Sequence, residues 1–554
     1  MFDIFPGSWM SNRVTIILPQ LTIMKYVHVL LFVHVFLGTA SSGLHAERNR
    51  TPNIILILAD DFGYGDLSSY GHPNQEFGRI DELAQEGMKF THWYSADVYC
   101  TPSRGALLTG RLPMRSGVIG GERVFFPNHF SGLSKSEITI AEALKTANYT
   151  TGIVGKWHLG INEFTSNDGN FLPHNHGFDY VGTILPFSLV WNSDDTKLHL
   201  PYPNPLMSFL YYNRTIVEQP IVTKHLTSKL VHDAKTFLHN HSQQENPFFL
   251  YFSLPQTHSS MFASERFNGS SKRGPYGDMV NEMHWAVGEV IDTLKLLEID
   301  TDTLVLFLSD HGPHLEVCTE GGSAGKLRGG KGNFFEGGLR VPAIAWWKDK
   351  ISPGTVSSRI ISTMDIFPTL LDVAGITENF RQIFDGHSIL NELIHRNGKS
   401  HDTLFFYCDD NIVAMRYKNY KIHFKTHKTV DDSPSFRKLN CPQGIPKENL
   451  YLDTAPFHSH SFSCKNMDDH SNKPLVYDIE LDPFEQYPLP SLPDNVELFE
   501  TLYPIIMDHI ATLSPTTMLA HPNFRNSFVQ PCCNPPYCHC HRHHKAPMCA
   551  LKNV

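Results

Sequence analysis

The chain has 554 residues, 41% hydrophobic and 18% charged, with 38 Gly and 36 Pro, a composition that excludes collagen, coiled coil and wholesale disorder. Lys and Arg total 46 against 56 Asp and Glu, a net charge of −10, which argues against nucleic acid as a partner. The 32 histidines make the charge strongly pH dependent below about 6.5, in keeping with an acidic compartment.

Residues 24–43, MKYVHVLLFVHVFLGTASSG, read as a secretory signal that closes an N-terminal extension over 1–43. Lys25 supplies the positive region, Val27 to Leu37 the apolar region and Gly38-Thr39-Ala40 the small-residue cleavage context, with Met24 a candidate initiator. No other stretch reaches the roughly 18 apolar residues of a membrane span. The expectation is a chain without stable membrane insertion, in the secretory-pathway lumen: lysosome, endoplasmic reticulum or secreted. Sequons at Asn49, Asn148, Asn213, Asn240 and Asn268 agree with that route.

Four short apolar runs then end in polar tips. Asn53 to Ala59 leads to Asp60-Asp61, Thr150 to Val154 to Lys156-Trp157-His158, Pro247 to Leu254 to His258, and Thr303 to Leu308 to Ser309-Asp310-His311. Unbroken apolar strands predict burial on both faces of a parallel sheet covered by helices, with reactive groups beyond the strands' carboxyl ends. Helical patterns occupy Glu137 to Thr146 and Val280 to Leu297, and the Pro- and aromatic-rich segment 185–220 reads as loop. The fold class is therefore α/β: a large mixed, mostly parallel sheet flanked by helices over 51–395, with a small antiparallel α+β subdomain over 396–515. That subdomain is expected to use strands at Thr403 to Tyr407, Val413 to Tyr417, Lys421 to Lys425 and Leu475 to Asp478, and a helix from Val496 to Leu513. The tail, 516–554, interleaves Cys532, Cys533, Cys538, Cys540 and Cys549 with histidines. In an oxidising lumen it reads as disulfide-stapled rather than zinc-binding, and its histidines as solvated.

The most informative string is Cys100-Thr101-Pro102-Ser103-Arg104, followed by Leu108-Thr109-Gly110-Arg111. Pro102 favours a first helical turn and Gly110 a C-terminal cap. A thiol at a helix start beside Arg104 is a candidate nucleophile or a half-cystine; the residues alone leave both open. Residue 100 is expected at an accessible strand-end site.

This string resembles the sulfatase family's C-x-P-S-R motif. Other motifs are similar to the family's in order: Asp60-Asp61-Phe62-Gly63-Tyr64-Gly65-Asp66, Gly155-Lys156-Trp157-His158-Leu159-Gly160, Ser309-Asp310-His311-Gly312, and Gly330-Lys331-Gly332 with Glu336-Gly337-Gly338. Tyr276-Gly277-Asp278 and the late cysteine cluster resemble the arylsulfatase and steryl-sulfatase branch, without the latter's membrane hairpin. The resemblance implies an alkaline phosphatase-like fold and hydrolysis of small-molecule sulfate monoesters, aryl or steroid-like. It implies formylglycine made from Cys100 by a formylglycine-generating enzyme, and one divalent cation, Ca²⁺ rather than Mg²⁺.

By the same resemblance Asp60, Asp61, Asp310, His311 and residue 100 hold the cation, Arg104 holds the Asp60-Asp61 side, and His158 is general base. Lys156, Lys331 and His258 take the sulfate and leaving oxygen, and Ser188 resembles a substrate-contacting serine. Many relatives carry Asn or Gln at the position of His311, which puts its ligand role in question. A hydrolase of glycan or other alcohol sulfates is the alternative within the family. A phosphoesterase of the same superfamily, normally with Ser or Thr as nucleophile, and a non-catalytic binder of sulfated ligands are the rivals outside it.

Overall fold

The computed structural model describes residues 51–189, 208–378, 380–427, 464–490, 494–535, 538, 540–543 and 546–547. The main sheet holds β1 (Asn53–Ala59), β2 (Met88–Tyr94), β3 (Thr150–Lys156), β4 (Tyr180–Leu185), β5 (Leu210–Tyr212), β6 (Thr215–Gln219), β7 (Phe248–Ser253), β8 (Thr303–Ser309) and β9 (Arg340–Trp346). Two short edge pieces, β10 (Thr355–Ser357) and β11 (Ile361–Ser362), pair with β2. The order β8-β1-β7-β3-β4 is parallel throughout. β9 runs antiparallel between β8 and β2.

The apolar runs form a central sheet because each has two faces to bury. Ile54, Leu56 and Leu58 enter one core, and Ile55, Ile57 and Ala59 enter the other. Helices Leu226–His241 and Pro275–Leu296 cover the second face; Ile140–Lys145 and Ile366–Val373 cover the first. The helix expected over 137–146 begins later because Thr139 accepts from the Glu142 amide in a capping box. The long helix begins earlier, at Pro275, where proline's missing N–H costs nothing.

The loop reading of 185–220 is corrected within the described residues. Its described C-terminal part is the antiparallel hairpin β5–β6, turned at Asn213-Arg214 and carrying Leu210, Tyr211 and Ile216 inward. The prolines and aromatics around it masked this short alternation. Residues 190–207 lie outside the described residues.

A second, antiparallel sheet orders β12 (Thr403–Cys408), β13 (Asn411–Tyr417), β14 (Tyr420–His423) and, after a separate pair β15 (Lys425–His427) and β16 (Met467–Asp469), β17 (Leu475–Asp478). The run expected over 421–425 thus splits at Phe424 into two strands. Helix Asp494–Ala511 packs Leu498, Phe499, Leu502 and Ile506 against Met415, Ile422 and Val476. The tail then returns to the first sheet: Leu519 and Ala520 donate to the carbonyls of Gly117 and Ile119, and β18 (Cys540–His543) pairs with β6. Disulfides Cys532–Cys538 and Cys533–Cys540 staple it, and Cys408–Cys464 ties β12 to the segment before β16. Cys549 and the side chains of His539, His541, His543 and His544 lie outside the described residues. Among the described residues no helix is long and apolar enough to cross a membrane.

Candidate active site

The carboxyl ends of β1, β3, β7 and β8 meet the first turn of helix Cys100–Thr109. That helix starts at Cys100 after an extended Tyr99 and ends on Gly110 at φ 68°, as Pro102 and Gly110 predict. Asp97 accepts from the amides of Val98 and Tyr99, which sets the entry of the chain into the helix. Cys100 is the free cysteine among the described residues and is 2% exposed. The expectation of an accessible residue is thus corrected: side chains from the ends of β1 and β8 close over it.

The Cys100 Sγ lies 3.5 Å from Asp60 Oδ1, 3.9 Å from Asp61 Oδ1 and 3.3 Å from His311 Nε2. Asp60, Asp61, Cys100 and His311 each offer one donor atom within 4.8 Å of the others. The His311 Nδ1 faces the Gly312 carbonyl at 2.9 Å. That bond leaves Nε2 as the ring nitrogen aimed at the cluster. Burial opposes a charge on His311, but Asp310 foremost, then Cys100 and Asp61, hold it up at about 9.

Three cations enclose this anionic group. Lys156 donates to Asp60 Oδ2 at 2.6 Å and to Ser188 Oγ at 2.9 Å. Lys331 donates to both Asp61 oxygens at 2.8 and 2.7 Å and lies 3.2 Å from His258 Nε2. Arg104 grips Asp310 Oδ2 through Nε and Nη2 at 3.0 and 2.8 Å, with Asp60 at 3.2 Å. Arg104 thus holds Asp60, as expected, but not Asp61: its main partner is Asp310, and Lys331 holds Asp61. A planar fork on a fully buried carboxylate is the geometry in which Arg surpasses Lys. Burial alone would raise Asp60, yet Lys156 and Arg104 keep its carboxyl well below the usual range.

Asp310 presents its other oxygen to the amides of Asp61 and His311, at 3.1 and 3.0 Å, and its Oδ1 lies 3.7 Å from His311 Nε2. Asp61 and His158 sit at φ 57° and 59°. Such left-handed backbone costs non-glycine residues roughly 1–3 kcal/mol and clusters at functional sites. His158 is buried beside Thr101, which donates to its carbonyl at 2.9 Å, and neither ring nitrogen has a hydrogen-bond partner. Burial, then Lys156 and Arg104, holds His158 well below its ordinary range, so it is neutral. His258 is likewise pushed down to about 3 by burial and Lys331.

Sequence reasoning missed Ser253 and gave Ser309, though part of a quoted motif, no role of its own. Ser253 Oγ accepts from Arg104 Nη1 at 2.7 Å, and Ser309 Oγ from the Phe62 amide at 3.0 Å. Each closes an apolar strand, the one available signal. Ser103 also bonds to the Asp310 carbonyl. Trp157 and Tyr64 pack: Trp157 is buried with its Nε1 on the Phe171 carbonyl, and Tyr64 meets Tyr70 edge-on. Asp66 is structural, accepting from the Gly63 amide and Tyr276 hydroxyl at 2.7 Å each.

Two family models match in chain order: Sulfatase over residues 52–376 and the C-terminal region of aryl-sulfatase over 399–541. The chain is similar to an arylsulfatase of Hemicentrotus pulcherrimus, 45% identical over 87% of this chain and 85% of that one. It is 34% identical to a steryl-sulfatase of Rattus norvegicus, over 83% and 89% of the two chains. Among solved structures, the PsFucS1 sulfatase from Pseudoalteromonas sp. superposes with a TM-score of 0.68 at 26% identity, covering 91% of this chain and 96% of that one. The fold is accordingly the alkaline phosphatase-like one that the motifs imply. With both family models and relatives matched across most of their length, the chain belongs to the sulfatase family, the hydrolases of sulfuric esters.

Proposed function

We propose that the Cys100 cluster is the hydrolytic centre, acting on sulfate monoesters of aryl or steroid-like alcohols. The observation that carries this reading is the convergence of two carboxylates and one imidazole on a helix-start Cys100, with Lys156 and Lys331 beside them. A phosphoesterase is disfavoured by that cysteine in the nucleophile's place, and a non-catalytic binder by the intact constellation.

The donors suit a hard divalent cation: Asp60, Asp61 and Asp310 carry oxygens, His311 adds one nitrogen, and residue 100 completes the set. Calcium is the proposed ion, and formylglycine at residue 100, made by a formylglycine-generating enzyme in the secretory pathway, the proposed modification. When present, these groups supply a Lewis acid and a hydrated aldehyde nucleophile. The remaining work falls to side chains described above. Arg104 fixes Asp310 and Asp60, so that carboxylates and residue 100 hold one geometry. Lys156 and Lys331 neutralise the sulfate oxygens where charge grows in the transition state.

Neutral His158, with both nitrogens unengaged, would serve as the general base toward residue 100 once that residue carries the modification. His258 Nδ1 meets the Ser259 carbonyl, so its Nε2 accepts from Lys331 in the resting state. The leaving oxygen is then protonated from this Lys331–His258 pair. Ser188, bonded to Lys156, is the proposed substrate contact on the Asp60 side. The proposed organisation is a signal region over 1–43, a catalytic domain over 51–395, a subdomain over 396–515 and a tail over 516–554, in a lysosomal, reticular or secreted protein.

Mass spectrometry of the peptide containing residue 100, combined with turnover on aryl, steroid and glycan sulfates, tests the reading. The expected result is the aldehyde mass and preference for aryl or steroid sulfates. An intact thiol in active protein would overturn the nucleophile, and preference for glycan sulfates the substrate class.

A further inference from the structure

A second cluster shares no residue with the catalytic one. Asp365, His387 and His401 come from three separate segments: the start of helix Ile366–Val373, the loop before helix Leu390–His395, and the approach to β12. One donor atom from each lies within 4.8 Å of the other two. Asp365 is fully buried, and among the described residues no Lys or Arg pairs with it; its ion-pair partners are the two imidazoles.

Asp365 and His387 are each oriented by hydrogen bonds on the side away from the cluster, and the His401 ring faces the carboxylate directly. The amides of His387 and Ser362 donate to Asp365 Oδ1 and Oδ2, both at 2.8 Å. His387 Nε2 meets the Lys399 carbonyl at 3.3 Å, which places a proton there and turns the Nδ1 lone pair toward Asp365 Oδ1, 3.8 Å away. His401 Nε2 lies 2.8 and 2.9 Å from the two carboxylate oxygens, and its amide is tied to the Ile360 carbonyl at 3.0 Å. The two rings are 4.1 Å apart, inclined at 49°. The His387 lone pair aimed at a buried anion is unfavourable unless something positive lies between them, and the His401 Nε2 proton on the same carboxylate occupies the place a cation would take. Carbonyl and amide hydrogen bonds behind imidazole and carboxylate are the outer partners that metal ligands use.

We propose that Asp365, His387 and His401 form a Zn²⁺ site. With bonds of about 2.0–2.1 Å, the edge of a tetrahedral site is about 3.3 Å. The observed donor separations of 2.8 and 3.8 Å bracket that length, so small side-chain shifts suffice. Two nitrogens and one oxygen select zinc over calcium, whereas the carboxylate-rich catalytic cluster selects the reverse. His387 is 28% exposed and His401 11%, which leaves an outward fourth position for water and an entry path. Bound there, zinc clamps the loop before β12 to the helix start and joins the first sheet's covering layer to the second sheet.

The experiment uses the full chain, stripped of metal and titrated with Zn²⁺ alone against a chromophoric chelator. One tight equivalent is expected in wild type and in Asp61→Asn, with affinity at least tenfold weaker in His387→Ala and in His401→Gln. Co²⁺ loading of wild type, which needs no variant to fold, is expected to give a tetrahedral d–d spectrum. The proposal is overturned if no equivalent is taken up, leaving an Asp365–His401 ion pair alone. It is equally overturned if uptake survives both histidine substitutions, is lost in Asp61→Asn, or the cobalt spectrum is octahedral.

Discussion

Glu336 and Lys421 form a fully buried ion pair, 3.1 Å apart, between the segment that leads into β9 and strand β14 of the second sheet. Tyr94 donates to the same carboxylate at 2.6 Å, and Arg340 and Arg416 lie 3.6 and 3.8 Å away. The neighbouring Glu485 accepts from the Glu336 amide at 2.6 Å and faces His423 at 2.7 Å. The lysine loop at 330–332 is thus anchored, through Glu336, to a sheet built largely after residue 400.

Breaking such a pair strands a buried charge. Lys421→Met is expected to destabilise the protein by roughly 3–5 kcal/mol. Denaturant unfolding at neutral pH measures it, and a loss under about 1 kcal/mol would show that Arg340 and Arg416 carry the carboxylate alone.

The same carboxylate makes a pH prediction. Burial would raise Glu336, but Lys421 foremost, then Arg416 and Arg340, hold it at about 2 against an ordinary 4.5. A depressed carboxylate stabilises the fold above its unfolded value, and that contribution disappears as pH falls from about 4.5 toward 2. Glu336→Gln is expected to be less stable than wild type at neutral pH and to lose less stability between pH 5 and 3. Parallel slopes in both proteins would remove Glu336 from the acid response.

Gly155 is where the chain aims Lys156. It sits at φ +104°, at a register shift between β3 and β4, and a Cβ there would meet the Ser253 carbonyl oxygen at 1.8 Å. Neither the angle nor the backbone contact can relax cheaply. Gly155→Ala is expected to lower stability and, on the role proposed for Lys156 toward developing charge, to reduce kcat more than it raises KM. Unchanged kinetics at unchanged Tm would mean that the strand end tolerates a side chain.

How far the sequence predicts this site depends on distance along the chain. Asp60, Lys156, His258 and Asp310 were legible because each follows an apolar strand, and a parallel sheet gathers such tips at one end. What Arg104 grips was not, because its choice of Asp310 over Asp61 rests on contacts across more than 200 residues. The β5–β6 hairpin was hidden by its length, five residues at most per strand, among prolines and aromatics. The tail's return to Gly117, Ile119 and β6 has no local signal at all.

Cys100→Ser separates the modified-residue mechanism from a simple nucleophile. The substitution is near-isosteric and Cys100 touches Asp60 and His311 without a covalent partner, so the fold is expected to survive with little change in Tm. A serine hydroxyl cannot be converted to a hydrate by oxidation of a thiol, so steady-state turnover of a chromogenic aryl sulfate should fall to background. Retained turnover would assign the chemistry to a hydroxyl nucleophile instead.

His311 carries the last prediction. Its Nδ1 is committed to the Gly312 carbonyl and its Nε2 faces Cys100 Sγ at 3.3 Å and Asp61 Oδ1 at 3.3 Å. As a ligand it must offer a lone pair, which the protonated ring lacks, so protons and metal compete for the same nitrogen. The neighbouring carboxylates hold the metal-free imidazole at about 9. Metal binding near neutral pH must therefore displace a proton, and affinity should climb with pH until that value is passed. His311→Asn substitutes a carbonyl oxygen, better matched to a hard cation and without a proton to lose. The variant is expected to keep activity and to bind calcium with a flatter pH dependence between 5 and 9. Calcium content and proton release measured across that range decide the matter: identical curves for the two proteins would leave the three aspartates as the sole source of the acid sensitivity, with His311 only a neighbour.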